Sequence, residues 1–209
     1  MRTSKQSGFT LVELAIVIVI IGLLVGMVMQ GQSLIESAKV ANAIATVKDL
    51  SLATKTFREK YKYWPGDHPN ASSVIPNLPA TCNIATTVLN IGNGAIDTAT
   101  EISCAMEDLF QAGLIRADLD SGATYHTMRT DYGSIRLLSA SASNVTTFAI
   151  GVNVVEFSNL PCRVVQSMDG KIDDGDISSA SSGKARASVA SCIVGGANDP
   201  VPFYAVSAN

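Results

Sequence analysis

Histidine is nearly missing from this 209-residue chain, which has His68 and His126 and no others. A Ser-His-Asp arrangement would need one of these two. No GxSxG elbow or HExxH pair occurs, and Gly183-Lys184 lacks the upstream glycine and following Ser or Thr of a phosphate-binding loop. The sequence therefore predicts no enzyme. His68 sits in a turn beside two prolines and is expected at the surface. Cysteine is sparse, and Cys82, Cys104, Cys162 and Cys192 form no CxxC pair, which removes the main signal for zinc-ribbon, thioredoxin-like or haem-attachment chemistry. An excess of positive charge is also absent. The formal net charge is −3, and the densest basic cluster, Lys55, Arg58, Lys60 and Lys62, shares its stretch with Glu59 and reads as a solvated helix face. No nucleic-acid partner is expected. Asn70 and Asn144 match N-x-S/T, a frequent chance match, and no internal repeat is present.

Between Phe9 and Met29 charge is lacking too, apart from Glu13. A helix over that span rises roughly 30 Å, the thickness of a bilayer core. The segment is predicted to cross a membrane. The leader "MRTSKQSG" carries Arg2 and Lys5, and this basic excess orients its end toward the cytoplasm, with the bulk of the chain outside. A cleaved secretory signal has a shorter apolar stretch followed by a small-residue site; here no A-x-A pattern follows, and the small residue, Gly8, precedes the run. Cleavage at Gly8 would keep the span and create a new amine on Phe9.

An isolated carboxylate in hydrocarbon costs about 2.5 to 3.5 kcal/mol, so Glu13 needs an offset. A protonated amine on Phe9 lies four residues before it, at a helix start where an acid is also favoured by the dipole. In a bundle of such helices the amine of one chain meets the carboxylate of the next. A buried pair of this kind penalises any register that leaves one charge alone. Glu13 is thus the candidate assembly residue. Gly22 and Gly26 form a GxxxG pair that permits close helix approach in membranes.

The stretch "KQSGFTLVELAIVIVIIGLL" resembles the N-terminal motif of type IV pilins and of the related pseudopilins of type II secretion. "YKYWPGD", "LFQAGLI" and "MDGKIDDGD" also look like recurring features of pilin-like proteins, with less specificity. The resemblance implies a prepilin peptidase that cuts after Gly8 and methylates Phe9, storage as a single-pass protein of the bacterial inner membrane, and polymerisation by assembly machinery into a periplasmic or extracellular filament. Partners would be other pilin-like subunits and, before assembly, membrane lipid. A pilus-like filament subunit is the leading function; a secretion pseudopilin shares every N-terminal feature. A third reading is an uncleaved, membrane-anchored calcium-binding protein. The chain departs from many pilins in having no proline before Pro65.

Beyond Gln30 the helix continues and turns amphipathic: Ile44, Val47, Leu50, Thr54, Phe57 and Tyr61 stripe one face at spacings of three and four. Pro65 and the turn chemistry of "PGDHPN" predict its end near Tyr63 or Trp64. The expected organisation is a leader (1–8), a membrane and assembly helix (9–30), and a head (31–209) that includes the amphipathic half of the helix (31–64). The fold class is α+β and pilin-like, with one long helix on a small antiparallel sheet. Tyr61, Tyr63 and Trp64 are expected to pack helix against head. A connection over 66–100 is held by Cys82. A short helix is predicted from about Thr100 to Ala112, with Cys104, Met106, Leu109 and Phe110 inward and Gly113 ending it. "SIRLLSAS" and "TTFAIGVNVVEF" read as strands of a three- or four-stranded sheet. "SNLPCRVVQSM" reads as a helix capped by Ser158 or Asn159 with Pro161 in its first turn. A last strand is expected around Ala187 to Ile193, followed by an irregular tail.

An even cysteine count behind an export-type N-terminus favours two disulfides. Four cysteines allow three connectivities, and the sequential one, Cys82–Cys104 with Cys162–Cys192, is our working assignment. The loop "MDGKIDDGD" offers Asp169, Asp173, Asp174 and Asp176 as oxygen ligands for calcium. It fails the EF-hand pattern, since Lys171 takes a ligand position, Gly175 comes one residue late and Ala180 stands where a bidentate Glu belongs. A turn whose aspartates bond their own backbone is the competing reading. No other cofactor is expected.

Overall fold

The computed structural model describes residues 10–82, 91–116, 119–121, 126–143, 148–149, 151–173, 183–187 and 200–208. The elements are α1 (Leu11–Tyr61), α2 (Ala71–Val74), a 3-10 turn (Ala80–Cys82), α3 (Ala99–Gln111), β1 (Leu119–Ser121), β2 (His126–Thr130), β3 (Gly133–Ser139), β4 (Asn153–Pro161), α4 (Cys162–Ile172), β5 (Ala185–Ala187) and β6 (Pro200–Ser207). This is the α+β, pilin-like class expected from sequence. The chain divides into two compact units, Met1–Lys39 and Val40–Asn209. In the first, the described residues belong to α1 and the residue before it.

The second unit contains the core, and the stripe read from the sequence supplies one wall of it. Val40, Ala43, Ile44, Val47, Leu50, Ala53 and Phe57 are all buried on α1. Thr54 is buried among them because its hydroxyl donates to the Leu50 carbonyl at 2.7 Å, so no polar atom is stranded. Truncating Phe57 to alanine is expected to cost about 3 to 5 kcal/mol, read as a lower midpoint in chemical denaturation. The helix stops at Tyr61, slightly before the predicted end, because Lys62 adopts a left-handed conformation (φ 69°) while its N–H still donates to the Arg58 carbonyl at 2.8 Å.

Six antiparallel strands in the order β1-β2-β3-β4-β6-β5 form the sheet, more than the three or four predicted. The extra strands are short or carry turn-like residues: β1 and β5 have three residues each. At the centre, Ile135 and Leu137 of β3 pair with Phe157 and Val155 of β4, and all four are buried. β4 begins at Asn153, later than the 146 start read from "TTFAIGVNVVEF", and runs on to Pro161. Ser158 and Asn159 therefore lie in the strand and do not cap a helix. The Ser158 hydroxyl is engaged across the sheet, 2.8 Å from that of Ser134, and Pro161 leads directly into α4. Val164, Val165 and Met168 of α4 are buried in the same core.

Helix α3 is fixed at its start by a capping box, Thr98 with Glu101, and at its end by Gly113 (φ +72°). Cys104, Met106 and Leu109 are buried as expected, but Phe110 is 42% exposed, since it falls at the margin of the apolar stripe in the last turn. The tail is not irregular: Pro200–Ser207 is β6, between β4 and β5. Two prolines obscured this strand in the sequence. Both precede Tyr204–Val206, the part paired with the described residues of β5. Of the strand predicted at Ala187 to Ile193, Ala187 ends β5 and the rest lies outside the described residues.

Candidate functional site

Every large apolar side chain from Leu11 to Met29 is at least half exposed, and an 18-residue window of α1 reaches a mean hydropathy of 3.0. The chain thus has a helix long and apolar enough to cross a membrane. Such a surface is stable only against lipid or other apolar helices. Within this stretch a Cβ added at Gly22 or Gly26 would meet nothing within 4 Å. The described part of the chain does not require glycine at either position.

Glu13 stands in the first turn of α1 and is folded back on Thr10. The Thr10 amide and hydroxyl donate to Glu13 Oε2 at 2.9 and 2.8 Å, and the Glu13 amide donates to the Thr10 hydroxyl oxygen at 3.3 Å. The Thr10 carbonyl accepts the first intrahelical bond, from the Leu14 amide at 3.3 Å. This is a reciprocal capping box, which satisfies amides that the helix start leaves without intrahelical partners. Its sequence signal is the T-x-x-E of "FTLVEL". Glu13 Oε1 takes no hydrogen bond among the described residues, so capping occupies one oxygen and leaves the other for a cation. Gly8 and Phe9 lie outside the described residues.

In the head, Cys82 and Cys104 are joined by a disulfide with Cα atoms 5.3 Å apart, tying the 3-10 turn to α3. Their sequence separation is 22, a loop for which removing both thiols is expected to cost about 3 kcal/mol, measurable as a lower denaturation midpoint in the double serine variant. Cys162, the first residue of α4, is also disulfide-bonded, and Cys192 lies outside the described residues. Of the four candidate calcium ligands, Asp174 and Asp176 lie outside the described residues. Asp169 is fully buried on α4, and Asp173 accepts the Lys184 amide. Among the described residues no three His, Cys, Asp or Glu side chains are grouped to hold a metal ion.

His68 is buried, contrary to its expected surface position. Its ring lies 4.7 Å from that of Tyr63 and 6.4 Å from that of Tyr61, and Nδ1 accepts the Asn70 amide at 3.0 Å. Burial lowers its pKa and favours the neutral ring. Trp64 is buried beneath the Arg58 guanidinium, 4.7 Å from the ring centroid. The pattern of "YKYWPGDHPN" announces a turn and does not reveal that the turn is inserted into the core.

The sequence was compared with known proteins and family descriptions. Residues 3–29 match the prokaryotic N-terminal methylation motif. No curated protein and no solved structure matches the chain. A basic leader, Gly8, Phe9, a capped Glu13 and an exposed apolar helix coincide in that interval, and the chain carries over residues 3–29 the prepilin-type signal of type IV pilins and pseudopilins.

Proposed function

We propose that this chain is a structural subunit of a type IV pilus-like filament. A prepilin peptidase cuts between Gly8 and Phe9 and methylates the new terminus. The subunit waits in the bacterial inner membrane, its N-terminus cytoplasmic and its head on the far side, and assembly machinery then draws it into a polymer packed through α1. The observation that carries this reading is the methylation motif at residues 3–29 on a helix whose large apolar side chains are exposed from Leu11 to Met29. Mass spectrometry of the mature N-terminus is the test: a chain beginning at methylated Phe9 supports it, and an intact "MRTSKQSG" leader excludes it.

The same motif supports a pseudopilin of type II secretion. The two differ in the machinery joined, and isolation of surface filaments with this chain as their component would decide for the pilus. A calcium role for the loop around Asp169, Asp173, Asp174 and Asp176 is a separate proposal. It expects calcium to raise the melting temperature of the head, and an equal melting temperature in chelator would end it.

A further inference from the structure

Three carboxyl side chains with no cationic partner among the described residues tie the turn Trp64–His68 to α3, the same turn to the 92–94 loop, and the first turn of α3 to the residues before it. Asp108 Oδ2 on α3 accepts the Gly66 amide at 2.7 Å. Asp67 in the turn itself accepts the Gly92 and Gly94 amides, the latter at 2.8 Å. Glu101 Oε2, at the start of α3, accepts the amides of Asp97 and Thr98 at 3.0 and 2.9 Å. All three residues are at most 1% exposed. The second oxygens of Asp108 and Glu101, Oδ1 and Oε1, are buried and meet no donor, and so is Oδ1 of neighbouring Asp97. The turn is packed tightly here: a Cβ on Gly66 would overlap the Glu101 carbonyl oxygen.

Further acids lie close to this cluster. Asp97 from the preceding loop acts on Asp67, Asp67 acts on Glu101, and Glu107 on α3 acts on Asp108, each disfavouring ionisation of its neighbour. His68 follows Asp67 in the chain, and burial lowers its pKa. The cations at the end of α1, Arg58 and Lys60, lie over the rings of Trp64 and Tyr61 at 4.7 and 4.8 Å. Tyr61, Lys62 and Tyr63 complete the titratable groups between α1 and the turn.

We propose that the turn Trp64–His68 is a pH-operated latch on α3, closed while Asp108 and Glu101 hold their protons and opened when both lose them. A neutral carboxyl keeps a carbonyl oxygen for the Gly66, Asp97 or Thr98 amide and relieves the orphaned oxygen of its charge. An ionised one leaves a negative oxygen buried without a donor, beside other acids. Burial, the largest cause in each case, pushes Asp108 and Glu101 up to about 7 and also raises Asp67. Because the folded head binds these protons more tightly than the unfolded chain, their contribution is complete below the ordinary carboxylate range and is lost as pH rises through about 7. The segment cannot drift away on opening. It is anchored by α1 before the turn and by the Cys82–Cys104 disulfide after it, so the opening is local. The latch belongs to the head alone and does not depend on assembly.

Trp64, the only tryptophan in the chain, sits in the turn and reports on it directly. In the full chain in detergent micelles, raising pH from 5 to 9 is expected to shift Trp64 emission to the red and increase its acrylamide quenching several-fold, reversibly and with far-UV circular dichroism unchanged. Asp108→Asn and Glu101→Gln keep the amide acceptors and cannot ionise. Each is expected to reduce the response, and the double variant to abolish it with Trp64 shielded at both ends. A wild-type chain whose Trp64 signal is the same at pH 5 and 9 would overturn the latch. So would a response that persists undiminished in the two single variants, which would place the titrating group elsewhere, at His68 or a tyrosine.

Discussion

Chains carrying Glu13→Ala are expected to reach the membrane and be processed at Gly8, yet enter filaments at least about a hundredfold less often than the wild type. The magnitude follows from leaving the Phe9 amine buried without a counter-charge, which costs about 3 to 5 kcal/mol, with each 1.4 kcal/mol worth roughly tenfold. Membrane fractionation would follow export, and quantification of sheared filaments would follow assembly. The capping box supplies a second explanation for any loss, and a second variant separates the two. Glu13→Gln retains an oxygen for the Thr10 amide and hydroxyl but carries no charge. If pairing with an amine governs assembly, glutamine fails as alanine does. Near-normal filament yield with glutamine would instead assign Glu13 to helix capping. Thr10→Ala completes the set: it removes a cap worth about 1 kcal/mol and should leave most assembly intact.

In the head, Gly66→Ala is expected to cost as much as truncating Phe57. Gly66 has φ +82°, and an added Cβ would overlap the backbone carbonyl of Glu101, an atom fixed by the first turn of α3. Left-handed backbone strain of about 1 to 3 kcal/mol combines with overpacking of a similar size, for a loss of about 3 to 5 kcal/mol. Denaturation monitored at Trp64 would measure it. Gly94→Ala is the matched control, because Gly94 has φ +87° and nothing within 4 Å of its missing Cβ. It should lose only the conformational part, about 1 to 2 kcal/mol. Equal losses at the two positions would show that the turn is free to back away from α3.

The parts of this molecule that were legible in the sequence are those governed by local pattern. The stripe from Ile44 to Phe57 declared its buried face because a helix repeats every 3.6 residues regardless of what it packs against. The membrane-length run and its single acid were equally plain. What escaped notice depends on distant partners. His68 looked exposed because turns usually are, yet Tyr61 and Tyr63 enclose it. Asp67, Glu101 and Asp108 look like ordinary surface acids, and nothing near them in sequence says that all three are buried. Ser158 looked like a helix cap because capping and cross-strand hydrogen bonding ask for the same hydroxyl; Ser134, 24 residues away, decided the matter. β6 was lost to its two prolines, Pro200 and Pro202, which precede the stretch paired with the described residues of β5.

The position of β6 also constrains the order in which the head can be built. Strand β4 shares one flank with β3, which precedes it closely, and the other with β6, which is translated some forty residues later. Until the ribosome has delivered those residues, one edge of β4 is a bare row of amides and carbonyls. Among the described strands, β5 joins only β6. A nascent chain would therefore stand beside its siblings with an open β edge, and in that interval pairing between chains competes with completion of the sheet.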